Sequence, residues 1–194
     1  MPAHPEPKSL YKFGNGEADD SPLVYANVWA SEAVSGTARL TIAPHTNHVG
    51  LLKELLSVMP EPMWLLYLLV VPRGKSNAGR YQSPEPLSRE NVTRFLSEFE
   101  DFLEKDGRHH LWIRAESGAA MLVYDRHNLI YAYGDVPAFV TKLMQQGLSE
   151  VQPDAITVHD PHSHHYHAAF DSQAEKILDF VQWHWTPLRD QDQR

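Results

Sequence analysis

Residues 110–133 read HLWIRAESGAAMLVYDRHNLIYAY, and the fold class follows from how this stretch divides. Three runs, 110–115, 120–124 and 129–133, are rich in aliphatic and aromatic side chains and read as strands. The segment Asp125-Arg126-His127-Asn128 between the second and third has the composition of a tight turn, and Glu116-Ser117-Gly118 reads as another. This turn chemistry predicts antiparallel hairpins.

Toward the N-terminus, a helix capped by Ser88 carries Val92, Phe95, Leu96, Phe99, Phe102 and Leu103 on one face, and Gly107 marks its end. Residues 72–87 hold prolines and glycines without periodicity and read as a long loop. The run MWLLYLLVV at 63–71 is apolar on both alternating faces, the pattern of a central strand covered on both sides. A helix over about 46–58 presents Val49, Leu52, Leu55, Leu56 and Met59, and Pro60 ends it. Strands at 23–29 and 38–43 flank a turn at Gly36.

Toward the C-terminus, Asp135 caps a helix with Pro137 in its first turn, Phe139, Val140, Leu143 and Met144 on its buried side, and Gly147 at its close. A short strand is predicted at 155–159. Asp171 then caps a last helix whose Ala174, Ile177, Leu178, Val181 and Trp185 share a stripe until Pro187, with Trp183 covering an apolar edge. The element order predicts an α+β fold: a mixed, largely antiparallel sheet packed by about four helices in a single domain. That domain spans 23–188. Residues 1–22, rich in Pro, Gly and acids, read as a flexible N-terminal arm, and 189–194 as a polar C-terminal tail.

The composition excludes several functions. The chain has 194 residues with 42% hydrophobic content, enough for one sizeable core without staples. There is no cysteine, so disulfides, thiolate metal sites and cysteine nucleophiles are out. The formal charge is −8 and no stripe of Lys and Arg interleaves with aromatics, which argues against nucleic acid and anionic membranes as partners. The apolar run at 63–71 is half of what a membrane-spanning helix needs, and the N-terminus has no apolar leader core. An acidic, cytoplasmic protein is expected, with an unidentified protein or small molecule as partner.

Residues 159–167 read His-Asp-Pro-His-Ser-His-His-Tyr-His, five imidazoles in nine positions. Neutral imidazole is a ligand for zinc, iron and nickel, and neighbouring imidazolium charges repel, which favours the neutral form. In an extended segment His162 and His164 project from one face and His165 and His167 from the other. The first ligand set is Asp160, His162 and His164, for a divalent Zn, Fe, Mn or Ni. Asp160 can serve as a ligand or as the partner that orients one. His159, His165 and His167 are further candidates, and a third histidine can come from His45, His48, His109, His110 or His127. The same histidines can instead hold a loop against the core.

Other motifs fall away. Asp160-Pro161-His162-Ser163-His164 has the D-x-H-x-H form of barrel metal hydrolases, but the 30 residues after His164 are too few for the rest of such a barrel. Gly74-Lys75-Ser76 follows a strand, yet Leu69 stands where a phosphate-binding loop needs glycine. Arg73, Lys75 and Arg80 remain as a loop that can meet an anionic ligand or an acidic partner. No complete catalytic constellation is present, so a non-enzymatic binding or interaction protein is the first reading. A metal-dependent hydrolase using the 159–167 cluster is the alternative.

Overall fold

The computed structural model describes residues 10–18, 20–158 and 160–193. The chain forms β1 (Phe13–Gly14), β2 (Val28–Val34), β3 (Thr37–Ala43), α1 (His48–Leu56), β4 (Met63–Leu69) and β5 (Gly79–Gln82). There follow α2 (Arg89–Glu98), α3 (Glu100–Lys105), β6 (His109–Ala115), β7 (Met121–Tyr124), β8 (Ile130–Tyr133) and α4 (Val136–Gln145). The last elements are β9 (Ser149–Glu150), β10 (Ser163–His164), α5 (Asp171–Leu178) and β11 (His184–Thr186).

Nine strands form one sheet in the order β11-β5-β4-β6-β7-β8-β3-β2-β9. Every neighbouring pair is antiparallel except β2 with β9. The fold is therefore the expected α+β single domain with a mixed, largely antiparallel sheet. The 110–133 stretch forms its middle, with Ile113 opposite Leu122 and Tyr124 opposite Ile130. At the β2–β3 hairpin, Ser35 and Gly36 both take positive φ, the two-residue turn whose twist suits paired strands.

Register decides which face is buried. Tyr81, Tyr67, Leu111, Tyr124, Ile130, Ile42 and Trp29 lie in one row across the sheet. All of them are buried in the core shared with the helices. α1 packs on α2, α3 and α4, while α2 meets β4 and α4 meets β3 and β8. Ser88 caps α2 by accepting from the Asn91 N–H (3.2 Å), and Asp135 caps α4 by accepting from Ala138 (3.1 Å).

Several expectations change. The strand at 63–71 is not covered on both sides, because Trp64 and Leu66 face the half-open side of the sheet. The loop at 72–87 contains β5, recruited as a short strand between β4 and β11. The helix expected over 88–107 divides at Phe99, whose ring is buried between Phe95 and Phe180. No strand forms at 155–158, where a 3₁₀ turn spans Pro153–Ala155. The last helix stops at Leu178, and Trp185 sits 47% exposed on the edge strand β11 rather than in the core.

The described parts of residues 1–22 and 189–194 hold buried side chains, unlike a free arm and tail. Lys12 and Phe13 are buried, at 0% and 1% exposure, and β1 pairs with β10. At the other end Asp192 is buried and its carboxylate meets Arg80 at 2.6 Å. Among the described residues no helix is long and apolar enough to cross a membrane.

Candidate metal centre

The centre is built on the turn between β7 and β8. Asp125 is buried there, and its Oδ1 accepts from the backbone N–H groups of His127 and Leu129, both at 2.9 Å. Its Oδ2 lies 3.0 Å from Nδ1 of His127. Burial alone would raise this carboxyl. The hydrogen bonds from His127 and the Leu129 N–H overcome that and hold it below the ordinary carboxylate range. An ionised carboxylate only accepts, so Nδ1 of His127 carries the hydrogen and the lone pair of the neutral ring is on Nε2.

The 160–167 segment supplies the other side. β10 pairs with β1 through Phe13 opposite His164, and the extended backbone sends alternate side chains to opposite faces. His162 and His164 face His127: the three ring centroids are 4.9 to 5.4 Å apart. Phe13 packs against all three at 5.3 to 5.7 Å. Each histidine can place one ring nitrogen within 4.8 Å of the other two. Nitrogens around one zinc ion stand roughly 3.4 Å apart, given Zn–N bonds near 2.0–2.1 Å. The rings would have to turn toward one another to close that difference.

His164 is the most constrained of the three. Both of its ring nitrogens are shut off from solvent and neither has a hydrogen-bond partner. A buried polar group without a partner is costly and calls for an explanation, of which a bound ion is one. Burial, with Arg126 and the imidazoles of His127 and His162, pushes its pKa down to about 3. The ring is thus neutral at physiological pH, the state a metal requires. Nδ1 of His162 meets the Asp160 carboxylate at 3.0 Å, a contact that would orient this ring, and Asp160 itself is not among the three grouped side chains.

The remaining histidines of the segment do other work. Nε2 of His165 meets Asp20 Oδ2 at 2.6 Å and Ser163 Oγ at 3.1 Å. Nε2 of His167 donates to the Tyr11 carbonyl at 2.8 Å. These two fasten Asp20 and Tyr11 to the segment. His159 lies outside the described residues. Arg73 is paired with Asp171 at 3.2 Å and Arg80 with Asp192, while Lys75 is exposed. The two arginines are thus committed to different carboxylates.

Of the distant histidines, His127 alone joins the cluster. His45 bonds the Tyr25 carbonyl at 2.9 Å, His48 stacks on Tyr124, and His109 lies between Phe102 and Tyr67 in the core. Asp125 and Phe13 were not foreseen. The signal for Asp125 was its place two residues before a candidate histidine in a predicted turn; nothing local marked Phe13. No protein-family model, curated protein or solved structure matches this chain, so the chemistry of the centre rests on its own geometry.

Proposed function

We propose that the protein is a binding protein for a divalent transition metal, held by His127, His162 and His164. The observation that carries this is the convergence of three imidazoles, one of which has two buried ring nitrogens with no partner. The carboxylates support it. Asp125 and Asp160 each hold the Nδ1 of one ligand, the arrangement by which metal-binding histidines are oriented and made more basic. Three imidazole donors suit zinc, nickel or iron better than manganese, which favours oxygen. The bound ion would fasten the 160–167 segment and β1 to the β7–β8 turn, a binding role without catalysis. The cytoplasm is the proposed compartment, in line with a composition free of cysteine.

A metal-dependent hydrolase is the second reading. It is favoured by the ligand number, since three histidines leave a fourth position for a water that the ion would acidify.

Elemental analysis of tag-free protein after mild chelation and reloading tests both. One equivalent of zinc, retained by the parent and lost in His162→Ala and His164→Ala, is the expected result. No retained metal and no thermal shift on adding zinc, nickel or iron would overturn the binding reading. Zinc-dependent cleavage of p-nitrophenyl acetate or p-nitrophenyl phosphate, absent from the chelated protein and from His127→Ala, would promote the hydrolase reading.

A further inference from the structure

The sheet has a second face, on which aromatic, apolar and basic side chains sit together. Register places Trp64 opposite Arg114 and Arg114 opposite Met121. In the next row Gln82, Leu66, Trp112 and Val123 lie side by side. None of these side chains joins the core shared with the helices. Trp64, Leu66, Arg80, Gln82, Trp112, Arg114 and Met121 line an open cavity of about 560 Å³ on this face. That volume is within the range of small-molecule sites, and the mix of aromatic floor and few polar groups is also theirs.

Charge narrows the ligand. The chain carries a net −8, yet two arginines and no carboxylate line this cavity among the described residues. Arg80 is neutralised by Asp192 at 2.6 Å and leans over the Trp112 ring, its guanidinium carbon 5.8 Å from the centroid. Arg114 is exposed and has no ion pair among the described residues. It stands beside Trp64, a flat apolar surface. A guanidinium recognises a carboxylate through paired N–H donors, and an indole face accepts a ring by stacking.

We infer that this cavity is a binding site for a small planar aromatic carboxylate, its ring lying against Trp64 and Trp112 and its carboxylate on Arg114. The site is independent of the histidine centre, because its lining includes none of His127, His162 and His164.

Titration of the full chain with 2-naphthoate, read by tryptophan fluorescence and by calorimetry, tests this in the presence of EDTA. Saturable one-to-one binding is expected. The neutral analogue 2-naphthalenemethanol should bind about tenfold more weakly, as should 2-naphthoate to Arg114→Gln, for the loss of a charged contact. Trp64→Ala should weaken both ligands. Arg114 is exposed, so its variant tests the site without threatening the fold. Absence of saturable binding, or binding that Arg114→Gln leaves unchanged, would overturn the proposal. So would a dimer in sedimentation that Trp64→Ala dissociates, because the face would then be an interface between copies of this chain.

Discussion

Asp125 holds His127 at both ends: its Oδ1 accepts from the His127 backbone N–H at 2.9 Å and its Oδ2 from the ring Nδ1 at 3.0 Å. One carboxylate therefore fixes the turn, the ring orientation and the tautomer together. The lone pair on Nε2 depends on this group remaining an acceptor.

Asp125→Asn should separate those roles. The amide can donate to Nδ1, which would move the ring hydrogen to Nε2 and remove the lone pair offered to a metal. Loss of a partner of this kind typically weakens metal binding about 10–100-fold. Competition against a chromophoric zinc chelator measures it. Asp160→Asn is the comparison: the Asp160 side chain is 90% exposed and orients only His162, so the expected loss is smaller. Equal affinity in the parent and Asp125→Asn would remove His127 from the ligand set.

The second anchor of the histidine segment is a buried ion pair. Arg108 and Asp106 have side chains 2% and 0% exposed and are joined at 2.7 and 2.9 Å. Asp106 Oδ2 also accepts from the His167 N–H at 2.8 Å, and Arg108 donates to the His167 carbonyl at 3.0 Å. Asp106→Ala would leave the buried guanidinium with the part-exposed Asp171 carboxylate (3.1 Å) as its one remaining ionic partner among the described residues and would release the segment. A loss of about 3–5 kcal/mol is expected by urea denaturation, the scale for breaking a buried pair. Metal affinity should fall with it, although Asp106 is not among the three proposed ligands.

How much of this was legible depends on range. The 110–133 hairpins, the Ser88 and Asp135 caps and the alternation of His162 and His164 against His165 and His167 are local, with periods of two residues or fixed offsets. They could be read directly. Lys12 and Phe13 could not, because a short polar and glycine-rich stretch looks the same whether it drifts or is strapped down by a partner 150 residues away. His127 was one of five distant histidines, and nothing short of the β7–β8 register distinguished it from His48 or His109. Trp185 misled because its helical spacing to Ile177 and Val181 continued past the point where the chain turned to add an edge strand.

Lys12 gives a third prediction. Its ammonium is fully buried, donates to the carbonyls of Leu103 (3.2 Å) and Asp125 (2.9 Å), and lies 3.5 Å above the Tyr124 ring. Burial lowers its pKa to about 7 against the pull of Asp125, Glu104 and Asp106. Lys12→Met keeps the stem and leaves two carbonyls without a donor, a cost of about 1–3 kcal/mol. It also removes the cost of burying a charge, so near pH 7 the two effects oppose each other. From pH 7 to the ordinary lysine value the unfolded chain holds a proton that the folded chain has released. The parent therefore gains stability relative to Lys12→Met as pH rises through that window, which denaturation at pH 7 and 9 checks.

Acid should act through the buried histidines rather than through the metal alone. Burial pushes His48 down to about 3 and His110 to about 4, in each case by desolvation first. Both side chains are less than a tenth exposed, so little solvent screens them. In the unfolded chain each titrates near 6.5. Between 6.5 and about 4 the unfolded state therefore binds protons that the folded state refuses, and stability falls as pH is lowered through that interval. Each histidine that stays neutral contributes about 1.4 kcal/mol per pH unit to the slope. Urea midpoints in EDTA between pH 7.5 and 5.0 measure it without interference from metal. His48→Gln should remove its own share of the slope, because a glutamine in that place has no proton to take up. An unchanged slope in that variant would mean that His48 is protonated in the folded state and that the stack on Tyr124 accommodates its charge.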